Sequence, residues 1–378
     1  MRKRLLTFGE PAPWFSAPTN ANANFHFDTV AGRYVVLCFF ESTARPDSRK
    51  ILDDLWQARS RFSDDHVTFF GVGHDPLDKE QSRVQVQIPG LRYFWDFDRR
   101  VAADYGAMQL DPNTGLQRFV AHTVVLDSRL RTLAVIPFDD PNTYAARLLQ
   151  LIDSLPPLGQ PHVAEVQAPV MVVPRIFEPE FCRKLIDLYE QHGGKESGFM
   201  REVNGKTVGM YDYGHKRRQD CEIPDEDIRR ACMIRIHDRL VPEIEKAYQF
   251  KATRMERYIV ACYDGTQNAH FRAHRDNTTK GTAHRKFAVS LVLNTGEFDG
   301  GFVWFPEYGR QMFAPPAGGA VVFSCSLLHE ATPVTSGKRY VFLPFLYDDA
   351  AARLRHENLR FVAGEDVNTP QQAQQAAG

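Results

Sequence analysis

What this 378-residue chain lacks narrows its class before anything else. Its six cysteines, Cys38, Cys182, Cys221, Cys232, Cys262 and Cys325, lie far apart with no C-x-x-C pair. That fits neither a disulfide framework nor a zinc ribbon and leaves most of them as small apolar fillers. No apolar run approaches the ~20 residues needed to span a bilayer, and the apolar stretch behind the basic start ends far short of a signal-peptide core. We therefore expect a cytoplasmic protein with no membrane partner. Charge of one sign is lacking too: 46 Lys and Arg against 47 Asp and Glu leave a net charge of −1. No chain-wide field draws the protein to a phosphate backbone, so no nucleic-acid partner is expected.

What is present is the composition of a folded globular protein, with 43% hydrophobic and 25% charged residues. At roughly 150 residues per domain the length suggests two or three domains, and two is the working reading. Between residues 34 and 155 short β-rich runs alternate with helical patterns, the mark of βαβ units. Tyr34-Val-Val-Leu-Cys-Phe-Phe40 reads as a buried strand, and 51–59 as a helix with Ile51, Leu52, Leu55 and Trp56 on one face. Further strands are expected at 67–72, 122–127 and 132–138, and helices near 99–105 and 143–155. The stretch Pro156-Pro-Leu-Gly-Gln-Pro161 suits neither helix nor central strand and marks a boundary. It divides the chain into domains at 1–158 and 159–364, followed by a Gln- and Ala-rich tail at 365–378 that is expected to be disordered.

Past the boundary the pattern changes. Phe181, Cys182, Leu185, Ile186 and Leu188 predict a helix ending at Gly193-Gly194, and Ile228, Cys232, Ile236 and Leu240 a longer one bent at Pro242. Strands are then expected at 257–263, 287–294, 302–305, 320–323 and 339–347, separated by turns such as Asp299-Gly300-Gly301. Helices followed by many short strands suggest a β-barrel or jelly roll with helical buttressing.

His274-Arg275-Asp276 sits just after one such strand, and residues i and i+2 of an extended chain can reach one metal ion together. Alone the triplet says nothing, because this composition is expected to yield one by chance and His26-Phe27-Asp28 is a second. Specificity comes from Leu328-His329-Glu-Ala-Thr-Pro-Val-Thr-Ser-Gly-Lys338-Arg339, where a third ligand, His329, enters on a late strand and a cation lies ten residues beyond it. Two imidazoles and one carboxylate leave a face of the octahedron open, the arrangement used for non-haem Fe(II) that binds a co-substrate and O2 together.

On these residues, 165–350 resembles the prolyl 4-hydroxylase branch of the 2-oxoglutarate/Fe(II) dioxygenases, which carry H-x-D … H-x-x-x-P-V-x-x-G-x-[KR] on a double-stranded β-helix. The resemblance implies His274, Asp276 and His329 as iron ligands. It implies Arg339 as the partner of the distal carboxylate of 2-oxoglutarate, a role suited to a planar guanidinium fork, while Lys338 should point to the opposite face of its strand. Tyr263 matches the family tyrosine that bonds the same carboxylate, with Tyr258 as its rival. Val303 stands where many relatives have Thr after the paired glycines, so the carboxylate loses one hydrogen bond or finds it elsewhere. Phe345 takes the place of a common cavity Trp. The implied cofactor is Fe(II), with 2-oxoglutarate and O2 as co-substrates and ascorbate as an optional reductant. Asp276 as a ligand favours hydroxylation over halogenation. His270 and His284 bracket the motif without partners at ligand spacing and read as surface or hydrogen-bonding histidines. The stretch 211–220 reads as a solvated loop or, more sharply, as a substrate lid.

Residues 7–155 resemble the peroxiredoxin/alkyl hydroperoxide reductase branch of the thioredoxin fold, through Gly9-Glu-Pro-Ala-Pro-Trp-Phe15, Phe69-Phe-Gly-Val-Gly73, Ala103-Asp-Tyr-Gly106 and Thr123-Val-Val-Leu-Asp127. That family's active site does not carry over. The turn Ser42-Thr-Ala-Arg45-Pro46 puts Arg45 where the nucleophilic cysteine belongs, and Ala121 stands where an activating arginine is usual. Cys38 lies inside an apolar strand, where burial is expected to raise its pKa. The fold expected is thus an α/β thioredoxin-like domain followed by a double-stranded β-helix with N-terminal helices. The function expected is hydroxylation of a protein, peptide or small molecule, a prolyl residue first, with the redoxin domain binding, dimerising (a homodimer) or presenting substrate. A 2-oxoglutarate- or oxygen-sensing binding protein and a thiol peroxidase are the alternatives.

Overall fold

The computed structural model describes residues 4–111, 115–160, 163 and 166–362, so the tail at 365–378 lies outside the described residues. The chain divides into two compact units, Met1–His162 and Val163–Gly378.

The first unit is built on a five-stranded sheet in the order Leu91–Trp95, Val67–Gly73, Tyr34–Glu41, His122–Leu126, Thr132–Pro137. The first three strands run parallel and the last two join antiparallel. A strand buried on both faces reads as a continuous apolar run, and Tyr34–Glu41 does so because its alternate side chains enter two cores. Val35, Leu37 and Phe39 go to one, and Val36, Cys38 and Phe40 to the other. The second core is closed by the helices Pro46–Gln57 and Tyr144–Ser154, through Ile51, Leu52 and Leu55 and through Leu148 and Ile152. Each such side chain contributes about 1.5–3 kcal/mol by leaving water. The strand Leu91–Trp95 was not anticipated. Arg92 interrupts its apolar run, yet folds outward to pair with Asp64.

Among the described residues the second unit carries two larger sheets and a separate two-stranded hairpin. The larger runs from Met171–Val173 through Ala320–Ser324, Phe287–Val292, Val334–Phe342, Ile259–Asp264 and Gln219–Glu222 to Lys195–Glu196. The smaller contains Lys216–Arg217, His270–His274, His329–Ala331, Val303–Trp304 and Met312–Phe313. One face of the larger sheet packs on the helices Pro179–His192, Glu226–Arg239 and Val241–Tyr248, with Val260, Cys262, Val289, Leu291, Tyr340 and Phe342 in that core. Period 2 then sends Tyr263, Ser290, Val292, Arg339 and Val341 to the other face, and this alternation aims the polar groups of the site.

Two expectations change here. The segment 211–220 is not simply a loop or lid: Lys216–Arg217 pairs in the smaller sheet and Gln219–Glu222 in the larger, so the chain crosses between sheets. Its charges hid a strand pattern, because Lys216 and Arg218 are buried while Arg217 and Gln219 face out. The run 339–347 is two strands, Val334–Phe342 and Phe345–Tyr347, separated at Leu343-Pro344, where proline cannot donate to a ladder. The hairpin Phe199–Val203/Lys206–Met210 also went unanticipated although its turn residues, Asn204 and Gly205, have the positive φ values of 52° and 74° that an Asn-Gly hairpin turn requires.

Candidate metal centre

His274 ends its strand and lies opposite His329 in the antiparallel register, across a bulge that follows Phe271. The bulge re-aims the side chain, and the His274 ring stacks on Phe271 with centroids 3.5 Å apart. Asp276 sits two residues on, past the strand end, its backbone N–H donating to the Cys325 carbonyl at 3.0 Å. Nε2 of His274 lies 3.5 Å from one carboxylate oxygen of Asp276, and Nε2 of His329 lies 3.4 Å from the other. One ligand atom from each of the three falls within 4.8 Å of the others, and among the described residues no other such group occurs.

The tautomers follow from the partners. Nδ1 of His274 faces the Arg272 carbonyl at 2.8 Å, and Nδ1 of His329 faces the Leu327 carbonyl at 3.0 Å. A carbonyl only accepts, so each Nδ1 carries the proton and each Nε2 keeps its lone pair aimed at the shared centre. Burial and then the neighbouring His274 push His329 down to about 4, so its imidazole is neutral near pH 7. Burial opposes ionisation of Asp276, but His329 and then His274 outweigh it and hold the carboxyl below its usual range. Two imidazoles presenting Nε2 and a carboxylate make the donor set of a divalent transition metal.

The same cavity is also lined by Arg339, Tyr263, Ser290 and Val303. Arg339 is 2% exposed, and its Nη2 donates to Ser290 at 3.0 Å. Its Nε is buried without a partner, and no carboxylate among the described residues pairs with it. Burial pushes its pKa down to about 10. Tyr263 is its register partner across the strands, with the guanidinium 5.1 Å from the ring centre. Tyr258 does not line this cavity and lies instead under the Arg229 guanidinium. Lys338 points to the opposite face and pairs with Glu190 at 3.3 Å. His270 and His284 are both buried and hydrogen-bonded, to the Asn268 carbonyl and to Glu256.

Among the cavity residues that the sequence reading does not single out, Ser290, Arg218 and Arg257 are polar, and the first two had a signal. Ser290 had a signal: it is the polar member of the inward set Ala288, Ser290, Val292 in an otherwise apolar strand. Arg218 had one too, in the period-2 spacing of Lys216, Arg218 and Asp220. It forks onto Asp220, with Nε and Nη2 each 2.7 Å from a carboxylate oxygen, and donates to the Tyr263 hydroxyl at 3.4 Å.

In the first unit Arg45 occupies the N-cap of Pro46–Gln57 with no side-chain cap, and pairs with Glu41 at 2.9 Å. Cys38 is fully buried, and burial pushes its thiol up to about 12. A thiolate at that site is neither formed nor reachable near pH 7. All six cysteines are buried and unpaired.

Comparison with known proteins gives the same division. Residues 258–347 match the family model of the 2OG-Fe(II) oxygenase superfamily, and 8–136 match that of the AhpC/TSA family. Curated relatives include a procollagen lysyl hydroxylase and glycosyltransferase of Acanthamoeba polyphaga mimivirus, 22% identical over 176 residues, 45% of this chain and 18% of the viral protein. Another is human procollagen-lysine,2-oxoglutarate 5-dioxygenase 2, 26% identical over 178 residues, 45% of this chain and 22% of the human one. The matched part is thus about a fifth of either relative's length. Solved structures include peroxidoxin BcpB from Mycobacterium tuberculosis, with TM-score 0.34 and 19% identity over 40% of this chain and 99% of that one. A prolyl hydroxylase from Trichoplax adhaerens, in complex with a hypoxia inducible factor peptide fragment, has TM-score 0.36 and 15% identity over 49% and 86%. The chain joins an AhpC/TSA-type segment to a 2OG-Fe(II) oxygenase-type segment.

Proposed function

We propose that this protein is an Fe(II)- and 2-oxoglutarate-dependent hydroxylase whose two larger sheets in the second unit are the halves of a double-stranded β-helix. The observation that carries the reading is the meeting, in one cavity, of the His274, Asp276 and His329 donors with a buried Arg339 that no carboxylate among the described residues neutralises. A buried guanidinium without a counter-charge costs several kcal/mol, so the fold holds a cation ready for an anionic ligand. A dicarboxylate that reaches from the metal to Arg339 fits both ends.

His274, Asp276 and His329 would hold the iron. Bound there, it supplies the redox chemistry that couples oxidative decarboxylation of 2-oxoglutarate, with O2, to hydroxylation of a C–H bond. The chain's own residues do the rest. The Arg272 and Leu327 carbonyls hold the Nδ1 protons and so fix the rings as ligands through Nε2. Arg339 receives the distal carboxylate through its free Nε. The Ser290 hydroxyl, which accepts from Arg339, keeps its own proton to donate, replacing the hydrogen bond that Val303 cannot make. Tyr263 closes the same end. The substrate, by kinship with the lysyl and prolyl hydroxylases, is a peptidyl residue or a small molecule of like chemistry. The first unit, with no thiol at Arg45, serves binding, dimerisation or substrate presentation.

The test is anaerobic reconstitution with Fe(II) and 2-oxoglutarate, followed in air by a succinate-release screen of cell extract, peptides and free amino acids, with and without ascorbate. Stimulated succinate release that His274→Ala abolishes supports the reading. No stimulation by any class removes it.

A further inference from the structure

Beside the ligand cluster lies positive charge that neither the metal nor the co-substrate uses. Lys216, Arg218 and Arg257 gather around a single carboxylate, Asp220. Arg218 takes both its oxygens, and Arg257 shares one through Nη2 at 3.1 Å. Lys216 is 6% exposed and donates to the Ser197 hydroxyl at 2.8 Å and the Gly198 carbonyl at 2.5 Å, with the Phe271 ring 4.8 Å away. Among the described residues no carboxylate pairs with it directly. Burial, and then Arg218, push the Lys216 pKa well down, so the count rests on the two guanidiniums: Arg218 and Arg257 against the single Asp220 carboxylate leave an excess of positive charge at the wall of the cavity. The co-substrate does not consume it: a ferrous ion, Asp276, a dicarboxylate and Arg339 cancel one another in formal charge. Net positive charge beside the cavity attracts an anion.

Arg257 is the member of this group able to meet a ligand. Lys216 and Arg218 are spent on internal partners, whereas Arg257 uses one of its five N–H donors on the described residues. It lines the metal cavity and also the wide cleft that shares His274 and Asp276 with it. Its guanidinium lies 5.5 Å from the centre of the Phe345 ring, itself a cavity wall held by Arg285 at 4.0 Å. Its backbone is in the left-handed region, φ 67°, at the corner between Arg254–Glu256 and Ile259–Asp264. A bulky residue rarely adopts that conformation unless its surroundings impose it.

We propose that the cavity receives a substrate bearing a carboxylate close to the carbon that reacts, and that Arg257 anchors that carboxylate. This rests on the hydroxylase reading above and names the substrate class of the same site.

The test reads binding rather than turnover. The full chain, loaded with zinc in place of iron and saturated with 2-oxoglutarate so that Arg339 is occupied, is titrated calorimetrically with N-acetyl amino acids and with the matching primary amides. A second arm uses capped peptides with an internal aspartate against their asparagine counterparts, which separates a free acid from a side-chain acid as the source of the carboxylate. The expected result, in at least one arm, is an acid that binds about ten- to a hundredfold more tightly than its neutral partner. Arg257→Gln should remove the preference, and Arg257→Lys, which keeps the charge but loses the fork, should keep part of it, with both variants melting like the parent. The proposal is overturned if acids and neutral partners bind alike, if neither binds, or if the preference survives Arg257→Gln. Succinate release from the same mixtures with iron and air reports on the hydroxylase reading separately.

Discussion

The two units treat buried charge in opposite ways. In the first, a buried ion is spent on local structure. Asp78 accepts from the backbone and hydroxyl of Thr43, and Arg131 donates to the Gly9 carbonyl. In the second, His329 and Arg339 come from two different strands and Asp276 from the turn after a third, and they converge on one cavity. The first arrangement satisfies its groups from within. The second leaves donors and lone pairs aimed at space, which costs stability unless a ligand completes them. The proposed chemistry therefore sits with the unfinished polar groups of the second unit's cavity, above all Arg339.

The sharpest attack on this contrast removes a ligand. His274→Ala or His329→Ala should lower Fe(II) affinity by at least ~100-fold, by analogy with the losses seen when even supporting residues are removed, and should abolish succinate release. Calorimetric metal titration that finds unchanged affinity would break the assignment. Next in size is Leu148→Ala in the first unit, a fully buried side chain whose removal should cost about 2–5 kcal/mol. Chemical denaturation should register that loss while metal affinity stays at the parent's value, and a coupled fall in both would contradict the division of labour.

Acid should weaken the first unit through His122. This ring is fully buried, and burial lowers its pKa from 6.5 to about 4. Between those values the unfolded chain binds a proton that the folded one refuses, so stability falls as pH drops from about 6.5 to about 4 and levels off below. The loss is on the order of 3 kcal/mol, and a His122→Phe variant should lack that slope in a pH series of urea midpoints. Arg339→Gln should weaken 2-oxoglutarate binding about ten- to a hundredfold, the worth of a hydrogen bond to a charged group. A titration of the metal-loaded protein checks it. The smallest expected signal is none at all: a thiol reagent such as DTNB should label none of the six buried cysteines in the native protein and all of them in denaturant. Fast labelling of Cys38 would restore a redox role to the first unit.

The legible parts of the molecule are those written in short spacings. Tyr34–Glu41 announced itself as an unbroken apolar run. Pro242 announced the break between Glu226–Arg239 and Val241–Tyr248, where it sits in the first turn of the second helix. The spacing of His274, Asp276 and His329 was equally local in kind. Lys216–Arg217 and Gln219–Glu222 were missed because charged side chains suggested solvent, whereas Arg218 is buried against the Asp220 carboxylate and Lys216 against the Ser197 hydroxyl and the Gly198 carbonyl. Val303 suggested a missing hydrogen bond, and Ser290, on another strand, has the hydroxyl to supply it.

The sequence by itself determined which groups can bind a metal, which cation accompanies them, and that the first unit has no thiol at the turn where Arg45 stands. These follow from residue type and spacing along one chain segment. Only the tertiary structure decided what surrounds them: that Tyr263 and not Tyr258 faces Arg339, that Ser290 lies beneath the guanidinium, and that Arg257 stands with spare donors beside Asp276. Those neighbours come from strands far apart in the chain. Their meeting depends on register and on which face of each strand turns inward, and both are fixed by burying the whole sheet against its helices rather than by any local pattern.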